Sequence, residues 1–269
     1  MPIVSAPQPL RLSVIIPSYN NPVALITCLK ALVATAAKAG SEGRLEILIQ
    51  DDASPSFKAT ELIGSPISVA INEINLGFAG NCNVGAVRTS GDILLFLNQD
   101  TKARPDWFEP LMAMFDNPQV GIVGPKLIFG QNPHGKPGDS IQSCGGLYDG
   151  GKGPYHRYLG WAADDWRVNI CERVSWTTGA ALAIRRELFV KAGGFDTAYR
   201  IGYFEDVDLC EKVKALGAEV WYCPEACFEH SVGSSGGVSP SVFKANSILF
   251  HNRWNDKITP DTTAIYVNY

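Results

Sequence analysis

The chain has 269 residues, with 23 basic and 27 acidic side chains and a formal net charge of −4 at pH 7. That balance offers no basic footprint for a nucleic acid partner, and no apolar run approaches the roughly 20 residues that cross a bilayer as a helix. Its seven cysteines are odd in number and lack framework spacing, which fits reduced, buried thiols and a cytoplasmic location.

Met1 to Arg11, with Pro2, Pro7 and Pro9, lacks the apolar core of a signal peptide and reads as an extended lead-in. Leu12 to Pro17 is a strand ending at proline. Asn21-Pro22 then supplies a helix N-cap and a first-turn proline. Leu25, Leu29, Leu32, Val33 and Ala36 fall on one face of that helix, and Gly40 closes it. Strands follow at Leu45 to Gln50 and Ile67 to Ile71, with a short helix around Thr60 to Ile63 between them. A helix over Ala79 to Thr89 precedes a strand at Asp92 to Leu97. Asp106 to Phe115 is helical, and Val120 to Val123 is a short strand. Alternation of this kind predicts a mostly parallel α/β sheet with helices on both faces. Gly130 to Gly160, rich in glycine, proline and aromatics, reads either as a mobile flap or as an irregular hairpin region. Regular structure resumes with a strand at Ala180 to Ile184 and helices at Arg186 to Ala192 and Asp206 to Leu216, the latter capped by Gly217. A strand at Glu219 to Tyr222 and a terminal helix at Phe243 to Trp254 complete the chain. No clean linker divides it, so we expect one domain with two lobes.

The most informative stretch is Leu94 to Thr101, where a strand apolar on both faces ends in Asn98-Gln99-Asp100. Ligands of an open α/β sheet bind at the carboxyl ends of its strands. Oxygen donors placed there suit a hard divalent cation, Mg²⁺ or Mn²⁺, which would hold a phosphorylated ligand. Two other loops should reach the same edge: Pro17-Ser18-Tyr19-Asn20 and Asp51-Asp52-Ala53-Ser54. A carboxylate after the second strand can accept from a pyrimidine imide N–H, and Tyr19 offers a face for the base. Between them lies Asn75-Leu76-Gly77-Phe78-Ala79-Gly80-Asn81-Cys82-Asn83, whose glycines allow close backbone approach and whose amides can donate to ribose or diphosphate. Each loop alone is ordinary turn chemistry; their order and spacing favour a shared site. Cys223, Cys227 and His230 lack a fourth ligand at zinc-finger spacing.

Leu12 to Asn20, Gln50 to Ser54, Asn75 to Asn83 and Leu95 to Thr101 resemble the nucleotide-sugar half of family 2 glycosyltransferases of the GT-A fold. Trp176 to Ala180, Gly193-Gly194-Phe195-Asp196, Tyr203 to Leu209 and Pro224 to His230 match the second half of that family. The bacterial rhamnosyltransferase-like branch is most similar. The resemblance implies a Rossmann-like central sheet, with a nucleotide-sugar half over about 12–125 and an acceptor-side, catalytic half over about 126–269. It implies nucleotide-sugar contacts from Pro17, Tyr19, Asn20, Asp51, Asn75, Gly77, Phe78, Asn81, Asn83, Asn98, Gln99 and Asp100. Asp51 would read the pyrimidine. Asp100 would be the last residue of the family's Asp-x-Asp metal element, from which this chain departs with Asn98 in first position. His230 would be a further metal ligand.

Asp206 would be the general base. A helix N-terminus lowers its pKa, while burial and the neighbouring Glu205 and Asp208 raise it. Trp176, Gly179, Ala180 and Glu205 would line the sugar and acceptor pocket, although Trp176 suits the core as well. The Gly130 to Gly160 segment is a candidate acceptor flap. The implied reaction is transfer of a sugar, rhamnose first, from a UDP- or dTDP-sugar to a hydroxyl of a glycan or lipid-linked glycan, with inversion. A lipid-linked acceptor would bring the protein to the inner membrane face as a peripheral enzyme. A sugar-nucleotide pyrophosphorylase would need a Gly-rich basic loop where Pro17 to Asn21 stands. A catalytically inactive nucleotide- or glycan-binding module of the same fold is the remaining alternative.

Overall fold

The computed structural model of the chain describes residues 9–55, 66–129, 139–151, 153–231 and 238–261. Alternating apolar strands organise it. In β1 (Leu12–Ser18), Leu12, Val14 and Ile16 enter the core on one face of a sheet while Ile15 enters the other. β4 (Ile93–Leu97) does the same, with Ile93, Leu95 and Leu97 on one side and Leu94 and Phe96 on the other. A strand buried on both faces needs helices on both, since each covered Leu, Ile or Phe side chain stabilises by about 1.5–3 kcal/mol. One layer holds α1 (Pro22–Thr35) and α4 (Phe108–Ala113). The opposite layer holds α3 (Gly77–Val87), α5 (Arg186–Lys191), α6 (Glu205–Ala215) and α7 (Pro240–Trp254).

β1 lies between β4 and β2 (Leu45–Asp51), and β3 (Ile67–Ile71) follows β2, all in parallel. β11 (Ala181–Arg185) is inserted antiparallel between β4 and β6 (Val120–Phe129). Beyond β6 runs β12 (Glu219–His230), parallel to it, with β10 (Glu172–Arg173) antiparallel on its far side. Consequently the carboxyl ends of β1, β2, β4 and β12 and the amino end of β11 meet at one edge. β5 (Thr101–Ala103) turns back there to pair with β12, setting His230 opposite Thr101.

Several boundaries differ from the sequence reading. β1 passes through Pro17 to Ser18, because the parallel register pairs Ser18 with Asp51. The first helix breaks at Ala36 and resumes as α2 (Ala37–Ser41), so Gly40 is helical and Gly43, with φ 70°, ends the segment. Val33 is exposed rather than buried. β6 and β12 are far longer than the short strands expected, since each sustains the other across a register shift between Cys223 and Cys227. α6 starts at Glu205 with Phe204 as its N-cap residue, and Leu216 is exposed. The predicted helix at Thr60 to Ile63 lies outside the described residues. So do 130–138 and 152; the described part of the Gly130 to Gly160 region includes β7 (Ile141–Ser143) against β6 and a hairpin of β8 (Gly146–Asp149) and β9 (Gly153–His156). That hairpin is anchored by Tyr148, buried and hydrogen-bonded to Glu211 at 2.5 Å. The cysteines of the described chain are free thiols, Cys171 exposed and the others buried or partly so. No helix among the described residues is long and apolar enough to cross a membrane.

Candidate active site

At the β1 end, Tyr19 is 43 % exposed. Its backbone N–H donates to Gln99 Oε1 at 3.3 Å and its carbonyl accepts from Gln99 Nε2 at 3.0 Å. Ser18 Oγ donates to the same Oε1. Gln99 thus clamps the β1 and β4 loops together. Asn20 adopts φ 48° and donates from its backbone to Ser54 Oγ. Asp51 is buried at the end of β2, its carboxylate accepting from Ser54 N at 2.9 Å and Ser54 Oγ at 2.6 Å.

Sequence reasoning missed Asp52. Its carboxylate accepts from Asn72 Nδ2, Leu76 N and Gly77 N at 2.8–2.9 Å. This fastens the turn that opens α3 to the end of β2, and Asn75 Nδ2 donates to the Asp52 carbonyl. Gly77, at φ 73°, makes that turn possible. Asp-Asp after a strand was the available signal, but only the fold tells the two carboxylates apart. The turn and residues Thr197, Tyr199, Arg200 and Ile201 enclose a cleft of about 250 Å³. Asn81 Nδ2 donates one N–H to the Gln50 carbonyl, and Asn83 pairs with both backbone polar groups of Phe195, so each amide spends part of its hydrogen-bonding capacity on the backbone.

Asp100 and His230 do converge. His230 Nε2 stands 3.1 Å from Asp100 Oδ1 and 3.3 Å from Asn98 Nδ2. Gln142, on β7, lies against the other ring nitrogen at 2.8–3.0 Å. With the Gln142 carbonyl accepting from Nδ1–H, Nε2 presents its lone pair toward Asp100. A separation of 3.1 Å matches neighbouring corners of an octahedral shell, about 3 Å apart for ligand distances near 2.1 Å. One imidazole nitrogen and one carboxylate oxygen fit Mn²⁺ or Mg²⁺, with remaining positions left for water and ligand oxygens. Among the described residues no three His, Cys, Asp or Glu side chains cluster as a complete metal cage, the Cys223, Cys227 and His230 group included.

The second centre is the start of α6. Asp206 Oδ2 accepts from Gly179 N at 2.8 Å and Oδ1 from Val207 N at 2.8 Å. Burial raises the Asp206 pKa above its ordinary value, and the N–H groups of Gly179, Val207 and Asp206 with the Thr178 hydroxyl oppose that without cancelling it. Glu205 is pushed up much further, first by burial and then by the Asp206 charge. It is 5 % exposed and lies near enough to the Cys82 thiol on α3 to raise that group too. Glu205 therefore sits behind Asp206 in the core rather than lining a pocket. Trp176 is also a core residue: its indole N–H donates to the Leu147 carbonyl, and a Cβ added to Gly146 would stand 1.9 Å from the ring.

Gly179 and Ala180 join the two centres. The Gly179 amide holds Asp206, while the Ala180 carbonyl accepts from Asn98 N at 2.9 Å. A Cβ at Gly179 would come within 3.2 Å of the Phe78 ring and 3.4 Å of Asp206 Cβ. The wall of the cleft, the cation edge and the carboxylate thus meet at one turn.

Residues 13–174 match the model of "Glycosyl transferase family 2". A "Pre-mycofactocin glycosyltransferase" of Mycobacterium tuberculosis is 27 % identical over 231 residues, covering 84 % of this chain and 44 % of that protein. An "N-acetylglucosaminyl-diphospho-decaprenol L-rhamnosyltransferase" of the same species is 30 % identical over 161 residues, covering 56 % of this chain and half of the relative. The chain therefore spans half or less of these curated relatives. Among solved structures, that of GalNAc-T7 with UDP, GalNAc and Mn²⁺ superposes with a TM-score of 0.73 at 20 % identity, over 92 % of this chain and 48 % of that one. The fold is that of the GT-A enzymes, and with the family match spanning more than half its length the chain belongs to glycosyltransferase family 2.

Proposed function

We propose that the chain is an inverting hexosyltransferase that takes a sugar, rhamnose first among candidates, from a UDP- or dTDP-sugar and attaches it to a hydroxyl of a glycan or lipid-linked glycan in bacterial polysaccharide synthesis. The observation that carries this reading is the Gly179-Ala180 turn, hydrogen-bonded to Asp206 on one side and to Asn98 on the other. It sets a proton acceptor beside a cation edge, the two functions needed for displacement at an anomeric carbon. The rhamnosyltransferase among the relatives supports the choice of sugar, and UDP in the superposed structure supports the uridine class.

Asp206 accepts the proton of the attacking hydroxyl, and Gly179 N–H and Val207 N–H keep its carboxylate aimed. A raised pKa makes its carboxylate a better base. Tyr19 offers the base a face, Asp51 its hydrogen-bond acceptor, and the Asn75 to Phe78 turn lies along the sugar-phosphate. A divalent cation held by Asp100 and His230 would supply charge neutralisation for the departing diphosphate. Gln142 keeps the His230 lone pair directed to that place.

Thermal shifts with UDP, dTDP, GDP and CMP, each with Mn²⁺, Mg²⁺ or chelator, test the donor site. Ligand at 100 times its Kd stabilises by about 2.7 kcal/mol, so cation-dependent shifts with UDP or dTDP are expected. A response to GDP alone overturns the Asp51 assignment. In transfer assays Asp206→Asn should lower kcat by about 10²–10⁴-fold while keeping the UDP shift; undiminished turnover removes Asp206 as the base, and binding without any turnover by the wild type identifies an inactive module.

A further inference from the structure

Residues 200–204, immediately before Asp206, are the most strained backbone near the site. Ile201, Tyr203 and Phe204 all have left-handed φ, at 70°, 73° and 76°. None is glycine, and a β-branched or bulky residue at positive φ is a true outlier. Such residues persist only where surrounding structure over-determines them. The same segment forms one wall of the cleft through Arg200 and Ile201, opposite the Asn75 to Phe78 turn. It also delivers Phe204, whose carbonyl accepts from Asp208 N and so starts α6.

What holds it is one amide. Asn246, on α7, is 3 % exposed. Its Oδ1 accepts from Arg200 N at 3.3 Å, and its Nδ2 donates to the carbonyls of Arg200, Gly202 and Tyr203 at 3.1, 2.9 and 3.3 Å. No other side-chain type of that size offers both an acceptor and a forked donor. Aspartate would turn a second acceptor toward three carbonyls. Phe243 closes the same strap from outside, its ring against Tyr203 at 5.6 Å and Phe204 at 5.3 Å.

We propose that Asn246 is a positioning residue for the transfer reaction: through the left-handed turn at 201–204 it sets the start of α6, and hence the Asp206 carboxylate, relative to the donor cleft. The role of Asp206 rests on the function proposed above; the hold of Asn246 on the turn does not. Asn246 touches neither cleft nor carboxylate and acts only through the turn.

Two measurements separate the claims. Arg200 is exposed, so trypsin can report on the turn without any activity assay. Cleavage after Arg200 should be slow in the wild type and at least tenfold faster in Asn246→Ala. Trp254→Phe is the control: it removes a 2.8 Å indole hydrogen bond from α7 to Asp208 and leaves the turn untouched, so cleavage there should stay at the wild-type rate. Equal cleavage in Asn246→Ala and wild type overturns the hold on the turn. In transfer assays well below the melting temperatures, Asn246→Ala should lose tenfold or more in kcat, and Trp254→Phe less than twofold. The acid limb of kcat should also move to lower pH in Asn246→Ala, because a loosened α6 start hydrates Asp206 and relieves the burial that raises its pKa. The titratable groups around that carboxylate, Glu205, Cys210 and the hairpin's Tyr148, are the same in all three proteins. Matched losses in both variants, or an unmoved acid limb, reduce Asn246 to a structural residue. If the wild type transfers nothing, the proposed function fails while the trypsin result still decides whether Asn246 holds the turn.

Discussion

Side chains of one type divide their labour here according to what already satisfies them. Asp51 and Asp52 are adjacent carboxylates at one strand end, yet Asp52 is consumed by three donors that fix the α3 turn, whereas among the described residues the Asp51 carboxylate accepts from Ser54 alone. Asp206 and Glu205 divide differently. Burial raises both, and Glu205, with the Asp206 charge beside it, is raised well above its usual range. A carboxyl whose folded pKa exceeds its unfolded value favours the fold below that unfolded value, about 4.3 for glutamate, and the contribution is lost as pH rises through the folded value. Glu205→Gln removes this dependence. The melting temperature of the wild type should therefore fall relative to Glu205→Gln between pH 5 and pH 8; parallel curves would show that Glu205 does not retain its proton in the fold. Gln142 makes a second prediction at this scale. Partners that orient a metal-bound histidine typically contribute 10–100-fold in affinity, so Gln142→Ala should weaken Mn²⁺ binding by about that factor in a calorimetric titration. An unchanged Kd would mean that His230 is not a ligand.

Among the elements, the β8–β9 hairpin and α6 show why glycine and a buried charge stand where they do. The Trp176 indole lies where a Cβ of residue 146 would go, so Gly146→Ala overpacks the hairpin against Trp176. Overpacking of this kind costs about 1–3 kcal/mol, which at about 2–4 °C per kcal/mol for a chain this long is a readily measured drop in melting temperature. α6 is tied to α7 by Asp208, fully buried and accepting from Arg253, Trp254 and Tyr199 at 2.8–3.2 Å, with Lys212 Nζ 2.7 Å away. Removing one partner of a buried ion pair costs about 3–5 kcal/mol. Because Arg253 and Lys212 are partly exposed, Asp208→Ala should fall at or below the lower end in chemical denaturation. A loss under 1 kcal/mol would show that α7 is held mainly by its apolar face.

Over the whole molecule, the parallel β1, β2, β4 and β12 bring their carboxyl ends to one edge, where Tyr19, Asp51 and Asn98 to Asp100 follow or end β1, β2 and β4. That much followed from the alternation of apolar strands with capped helices, because buried strands must be covered on both faces and parallel neighbours must point the same way. A local pattern also singled out Asn98 to Asp100, where polar residues end an apolar run abruptly, whereas the part expected of Asp206 came from the family resemblance. Other features depend on pairings far apart in the chain. β11 is short and apolar, and nothing local makes it antiparallel; its place between β4 and β6 does. β6 and β12 extend well past their predicted ends because each supplies the other's hydrogen bonds. Asn81, Asn83, Gln99 and Trp176 spend part of their hydrogen-bonding capacity on groups brought to them by tertiary packing. Asn246 is an unremarked amide in a C-terminal helix until the fold sets it against three carbonyls of a left-handed turn. Strand pattern and capping are properties of neighbouring residues and so were written in the sequence, whereas whether a polar group is already satisfied depends on what lies across space, which the tertiary structure alone decided.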